Sequence, residues 1–194
     1  MKRFVISKND IITTIPIEIL ENPIDVLEQL NLELGLGKDY VGEEIYLPLY
    51  APSSKEQEVA EKSGLNQWNA GGRKRDFDEV YIPIPKFIHK NYPTFFNYVN
   101  ADTPPFKVLL PNGREILCKV CQSDGKALMS NPNLELGKWL LRDVLQLAQG
   151  VLVTREMLDE VGVDSVRMIK TEDSVYTLDF AKTGSYDNFL NSDK

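Results

Sequence analysis

Histidine and cysteine are almost missing from this chain, and their scarcity removes several chemistries. Its 194 residues hold one histidine, His89, and two cysteines, Cys118 and Cys121. The cysteines form a C-x-x-C, but residues three apart on a strand face opposite ways and no second pair follows, so small buried hydrophobes fit better than a zinc site. Two cysteines without disulfide-dense spacing fit a reducing cytoplasm. His89 is followed directly by Lys90, so it belongs to no H-x-K motif, and a lone histidine reads as structural or surface. A metal nuclease needs a carboxylate cluster with a Glu-x-Lys, and Glu115 to Lys119 has the wrong spacing. Neither a G-x-S-x-G nor a phosphate-cradling glycine loop is present. No catalytic group, metal or cofactor is therefore expected. No apolar run approaches the ~18 residues of a membrane span. The apolar patch after Lys2 and Arg3 stops at Ser7 and Lys8 without a small-residue cleavage site, so no secretory signal is expected.

What the chain does contain is ordinary globular material, 42% hydrophobic and 26% charged, enough for one domain, or one domain plus an extra segment. The net charge of −7 is unevenly spread. Residues 1 to 62 carry 6 Lys+Arg against 12 Asp+Glu, a net of −6, and residues 143 to 194 carry 5 against 10, a net of −5. Residues 63 to 142 carry 11 against 7, a net of +4. An acidic chain with a basic middle third suggests one basic face, since polyanion binding follows local potential rather than the total.

The first 62 residues read as a segment apart. Lys2 to Ile6 suits a strand, Asp25 to Leu34 a short helix stopped by Gly35 and Gly37, and Glu43 to Tyr50 an extended stretch before a linker at Pro52 to Glu56. From Glu79 onward short strands alternate with turn signals, the look of a barrel or sandwich. Val80, Ile82 and Ile84 alternate with Tyr81, Pro83 and Pro85. Prolines at every second position cannot donate to a ladder, which places this strand at an edge. Phe106 to Leu110 and Glu115 to Val120 form a hairpin across Pro111-Asn112-Gly113. A second turn at Ser123-Asp124-Gly125 leads to a return strand cut off by Asn131-Pro132. Two helices follow. The first presents Leu136, Trp139, Leu140, Val144 and Leu147, with Asn133 as N-cap and Gly150 as C′ residue; the second runs from Thr154 to Gly162. Strands at Ser165 to Lys170 and Val175 to Phe180 close the pattern, and the rest reads as a frayed polar tail.

The densest chemistry runs from Asn66 to Asp76. It holds the amides Gln67 and Asn69, the aromatic Trp68, two glycines, and the basic run Arg73-Lys74-Arg75. Arginine can bond guanine O6 and N7 in bidentate fashion, amides can do the same to adenine, and lysine neutralises phosphate. A second polar stretch offers Gln122, Ser123, Asp124, Lys126, Ser130, Asn131 and Asn133, and scaffolds carry function on such loops. By composition the first is equally readable as a solvated loop and the second, taken alone, reads as a polar hairpin tip, while two such loops in one small barrel favour recognition. A helix-turn-helix reading of the two helices fails, because Glu156, Asp159 and Glu160 would face the phosphates against Arg155 alone.

Ser63 to Asn69, Gly72-Arg73, Glu79 to Pro85, Lys119 to Gln122, Gly125 to Asn133 and Leu136 to Arg142 together resemble the C-terminal domain of phospholipase D-type (NgoFVII-like) type II restriction endonucleases. The likeness runs from Glu61 to Phe180. It implies a mainly β fold, similar to the plant B3 domain: an open seven-stranded pseudobarrel with two short helices. It also implies sequence-specific reading of duplex DNA from the major groove by two arms, which by position fall at Gln67 to Arg75 and Gln122 to Asn133. On their own chemistry, Lys74, Lys86 and Lys138 are candidate phosphate neutralisers, and the two arms are expected on the same side of the barrel. Relatives carry an upstream nuclease domain with an H-x-K motif, which this chain lacks. The resemblance thus implies a non-catalytic recognition part in a bacterial cytoplasm, residues 63 to 194, with residues 1 to 62 leading toward a phospholipase D-like domain or subunit. The alternative on the same barrel is a protein-interaction module or a modified-base sensor, its pocket lined by Trp68, Tyr81 and Trp139.

Overall fold

The computed structural model describes residues 3 to 8, 11 to 16, 43 to 100 and 102 to 192. Strands β1 (Arg3–Lys8) and β2 (Ile11–Pro16) pair antiparallel as a sheet of their own. The helix expected at residues 25 to 34 lies outside the described residues.

A seven-stranded, nearly closed sheet forms the body, as the resemblance implied. Its strands are β3 (Glu44–Pro48), β4 (Ile82–Pro83), β5 (Phe106–Leu109), β6 (Glu115–Cys121), β7 (Ala127–Ser130), β8 (Val163–Glu172) and β9 (Val175–Lys182). They run in the order β3-β8-β9-β5-β6-β7-β4. All neighbours are antiparallel except β5 and β9, which pair in parallel from Lys107 opposite Val175. The sheet takes one strand, β3, from the stretch that the sequence reading set apart. Its Ile45 and Leu47 are fully buried beside β8.

Alternation builds the core. On β6 the inward residues Ile116, Cys118 and Val120 are buried while Glu115 and Leu117 face out. Leu128, Val108, Val166, Met168 and Leu178 complete the lining from neighbouring strands. Phe95, Phe96, Phe106 and Tyr176 stack where β5 and β9 begin. Leu136, Trp139, Leu140 and Leu141 are buried beyond the other end of β7, with Trp139 against Phe180. β4 occupies an edge, as its prolines require, and carries only two ladder positions. A cavity of about 210 Å³ lies between the chain that follows β3 and the start of β4, lined among others by Tyr50, Tyr81 and Pro83.

The helices depart from the sequence reading. α1 (Lys86–Asn91) follows Pro85 and was not foreseen. α2 (Glu135–Gly137) widens at once into a π-helix over Lys138–Val144 that is complete by Leu145, short of the expected stop at Gly150. Asn133 does not cap it; the Oγ of buried Ser130 accepts the Leu136 N–H at 2.9 Å instead. α3 (Arg155–Val161) matches the expectation at both ends. Thr154 Oγ1 accepts the Met157 N–H and Gly162 takes the left-handed conformation at φ 78°. The stretch after Phe180 is no frayed tail. It completes β9 and forms α4 (Ser185–Ser192), whose Tyr186 is buried and whose Phe189 packs against Tyr46, Phe87 and Tyr92.

Candidate nucleic-acid interface

The first arm grows from a 3₁₀ turn over Gly64–Asn69. Asn66 anchors it: the side chain is fully buried, its Nδ2 donates to the carbonyls of Ala60 and Val153, and its Oδ1 accepts the Val153 N–H. Such a buried amide is costly unless fully bonded, and this one is. Trp68 is half-buried and lies edge-on to Phe77 with centroids 5.2 Å apart, so it packs the arm rather than projecting from it. Asn69 donates to the Glu61 carbonyl at 3.0 Å, and Gln67 beside it is half-buried.

The three basic residues of this arm divide their labour. Arg73 grips Glu79 with both Nη atoms, Nη1 to Oε1 at 3.0 Å, and Nη1 also donates to the Lys74 carbonyl. The Glu79 side chain is only 7% exposed against 54% for Arg73. The adjoining guanidinium holds the Glu79 carboxyl below the ordinary carboxylate range, against the opposing effect of burial. Arg75 folds back to donate to the carbonyls of Ala70 and Gly71 and so shapes the loop through the two glycines. Lys74 is exposed and meets no acidic group among the described residues. The arm's base is docked on the π-helix: Arg142 donates to Asp78 Oδ1 at 2.7 Å and to the Phe77, Leu147 and Ala148 carbonyls. Gly137 has no side chain because the Asp78 carbonyl oxygen stands 1.9 Å from where its Cβ would be.

The second arm is held from beneath. In the turn between β6 and β7, Gln122, Asp124 and Gly125 all have positive φ, at 65°, 60° and 65°. Two of these are not glycine, an arrangement that costs about 1 kcal/mol or more per residue and persists only where neighbours enforce it. The turn is braced at Gly125, where His89 Nε2 lies 2.9 Å from the carbonyl oxygen and the Tyr98 ring would stand 2.7 Å from any Cβ. The lone histidine thus serves the loop structurally. Gln122, Ser123, Asp124 and Lys126 are exposed on this rigid base. Ser130, expected among the base readers, is buried and spent on the helix cap. Asn131 is exposed, Asn133 half-buried, and Lys138 is paired with Glu135 at 2.7 Å.

Register sets where the two arms lie along the strands. β4 runs antiparallel to β7 with Ile82 opposite Leu128 and Pro83 opposite Ala127. The first arm precedes β4 and therefore shares an end with Asn131, Asn133 and Lys138. The turn at residues 122 to 126 sits at the opposite end of the strand pair, beside Lys86. The stretch from Gln122 to Asn133 is thus divided between both ends of β7. Four residues of strand span about 10 Å. Between the arms, Lys119 of β6 lies opposite Met129 of β7. Of the eleven Lys and Arg in residues 63 to 142, Arg73, Lys107, Arg114, Lys138 and Arg142 are in ion pairs. Lys74, Lys86, Lys90, Lys119 and Lys126 are in no ion pair among the described residues, and Arg75 acts on Glu79 only through a longer-range attraction. Of the three aromatics of the modified-base reading, Trp139 is core, Trp68 packs on Phe77, and Tyr81 lines the 210 Å³ cavity. The described residues contain no cluster of three or more His, Cys, Asp or Glu arranged for a metal, and no helix among them is long and apolar enough to cross a membrane.

The described residues thus form a seven-stranded, nearly closed sheet with two polar arms at the ends of its β4–β7 pair. The chain matches the family model of the NgoFVII C-terminal B3-like DNA-binding domain over residues 41 to 172, and it belongs to that family. Those limits include β3, in keeping with its place in the sheet. No curated protein matches the chain.

Proposed function

We propose that this domain reads a specific sequence of duplex DNA from the major groove and serves as the target-recognition part of a restriction endonuclease. The observation that carries the reading is the pair of arms at the two ends of the β4–β7 pair. The four-residue strand β7 between them is about 10 Å long, on the scale of a major groove about 12 Å wide. Lys74 at one end and Lys86 and Lys126 at the other would neutralise phosphates, and Lys119 would do so between them. Gln67, Asn69 and Asn131 on one side, and Gln122, Ser123 and Asp124 on the other, would meet base edges. Arg75, Trp68 and Ser130 shape and hold the arms, and Lys138 contributes less because Glu135 already answers its charge. Cleavage would come from a phospholipase D-like domain or subunit, with the residues upstream of the sheet leading toward it.

Enrichment of bound duplexes from a randomised pool tests this reading. It predicts one recurrent motif, bound at least about a thousandfold more tightly than a scrambled duplex, the lower range for specific DNA-binding proteins. A pool that enriches no motif would refute it.

A further inference from the structure

We propose that Glu79 is a positioning residue for DNA recognition, and that it turns Arg73 into a guanine reader by occupying one edge of the guanidinium and leaving the other free. The inference rests on the functional reading above and assigns atoms to it. A guanidinium is a planar fork with five N–H donors. Glu79 takes one hydrogen from each Nη atom, and the Lys74 carbonyl takes the second on Nη1. Nε–H and the second Nη2–H remain, with no partner among the described residues. These two lie side by side on the same edge of the fork, the pair that fits two adjacent acceptors such as guanine O6 and N7. The side chain is half exposed.

Glu79 is fixed more firmly than the arginine it holds. It is buried next to Val80 at the mouth of β4, and its Oε1 also accepts the Asp76 N–H at 3.2 Å. Releasing Arg73 would strand a buried carboxylate without its cation, so DNA should meet the pair intact rather than pull it apart. A fork immobilised in this way loses little rotamer freedom on binding and demands a partner of matching geometry, whereas a free arginine would accept any phosphate.

The test is a double-mutant cycle on the enriched duplex, with Arg73→Ala, Arg73→Lys, Glu79→Gln and Arg73→Ala/Glu79→Gln. Thermal melting selects the variants that remain folded, and Arg73→Lys, which preserves the ion pair, serves if Glu79→Gln does not fold. Binding is measured to the cognate duplex, to a scrambled duplex, and to cognate duplexes carrying 7-deazaguanine at single guanines. We expect Arg73→Ala and Arg73→Lys to weaken cognate binding about 10- to 100-fold with little effect on the scrambled duplex. Glu79→Gln should weaken cognate binding several-fold when Arg73 is present and not at all when Arg73 is alanine. One 7-deazaguanine position should penalise the wild type and not Arg73→Ala. Equal losses by Arg73→Ala on cognate and scrambled duplexes would make Arg73 a phosphate contact and overturn the inference. So would a Glu79→Gln loss of the same size in both backgrounds. A cognate site bound undiminished by Arg73→Ala refutes this inference alone, whereas failure of the wild type to discriminate any duplex refutes the functional reading and this inference together.

Discussion

At the scale of single residues, the side chains most suggestive in the sequence are often the ones the fold has already employed. Arg75 and Ser130 have the chemistry of DNA contacts, yet one folds the glycine loop and the other caps a helix. We expect Ser130→Ala to cost about 1 to 2 kcal/mol of stability by urea unfolding, since it leaves a buried N–H unsatisfied, with no change in base preference beyond that loss. The Arg73–Glu79 pair gives the acid response a definite sign. Because the native Glu79 carboxyl lies below its ordinary range, the pair stabilises the fold above about pH 4.3 and is lost as pH falls through the depressed value. Urea midpoints measured between pH 5 and pH 3 should therefore fall more steeply for the wild type than for Arg73→Gln. Parallel profiles would show that the pair does not stabilise the folded state.

At the scale of elements, legibility followed how local each signal was. The β5–β6 hairpin was readable because Asn112-Gly113 supplies its turn within two residues, and Gly113 does take φ 79°. Thr154 and Gly162 bounded α3 for the same reason. The parallel pairing of β5 with β9 was invisible, since nothing near Lys107 records that Val175 will lie beside it. α4 was hidden because its apolar contacts, Phe189 on Tyr46 and Phe87, are with residues about one hundred or more positions away. We predict that Phe189→Ala lowers stability by about 2 kcal/mol, below the cost of a fully buried phenylalanine because the ring is only half-buried. Gly137→Ala should be worse, at least about 3 kcal/mol, because a Cβ there collides with the backbone of Asp78 and would push the first arm off the π-helix. A folded Gly137→Ala protein of unchanged melting temperature would refute that docking.

At the scale of the whole molecule, the acidic chain leaves several lysines of its middle third outside any ion pair among the described residues. Asp78, Glu79, Asp164 and Glu44 lie in ion pairs with arginines, while lysines without partners border the arms. The sequence exposed the basic middle third but not this sorting, which depends on pairs such as Arg142 with Asp78, 64 residues apart. Nor did it reveal that the two arms would flank a short strand pair from its two ends, since only the register of β4 against β7 decides that. If the lysines contact phosphate, Lys74→Ala and Lys126→Ala should each flatten the dependence of log affinity on log salt by about 0.9, and Lys138→Ala by clearly less. An unchanged slope in the first two would take them out of the interface.

The most direct test of the central claim, that both arms read one major groove, is methylation interference on the enriched duplex. Methylation at guanine N7 marks the major groove and at adenine N3 the minor groove. The account predicts interference at guanine N7 within a single stretch of groove, with separate positions lost on Arg73→Ala and on Gln122→Ala. Interference confined to adenine N3, or the same positions lost in both variants, would contradict it.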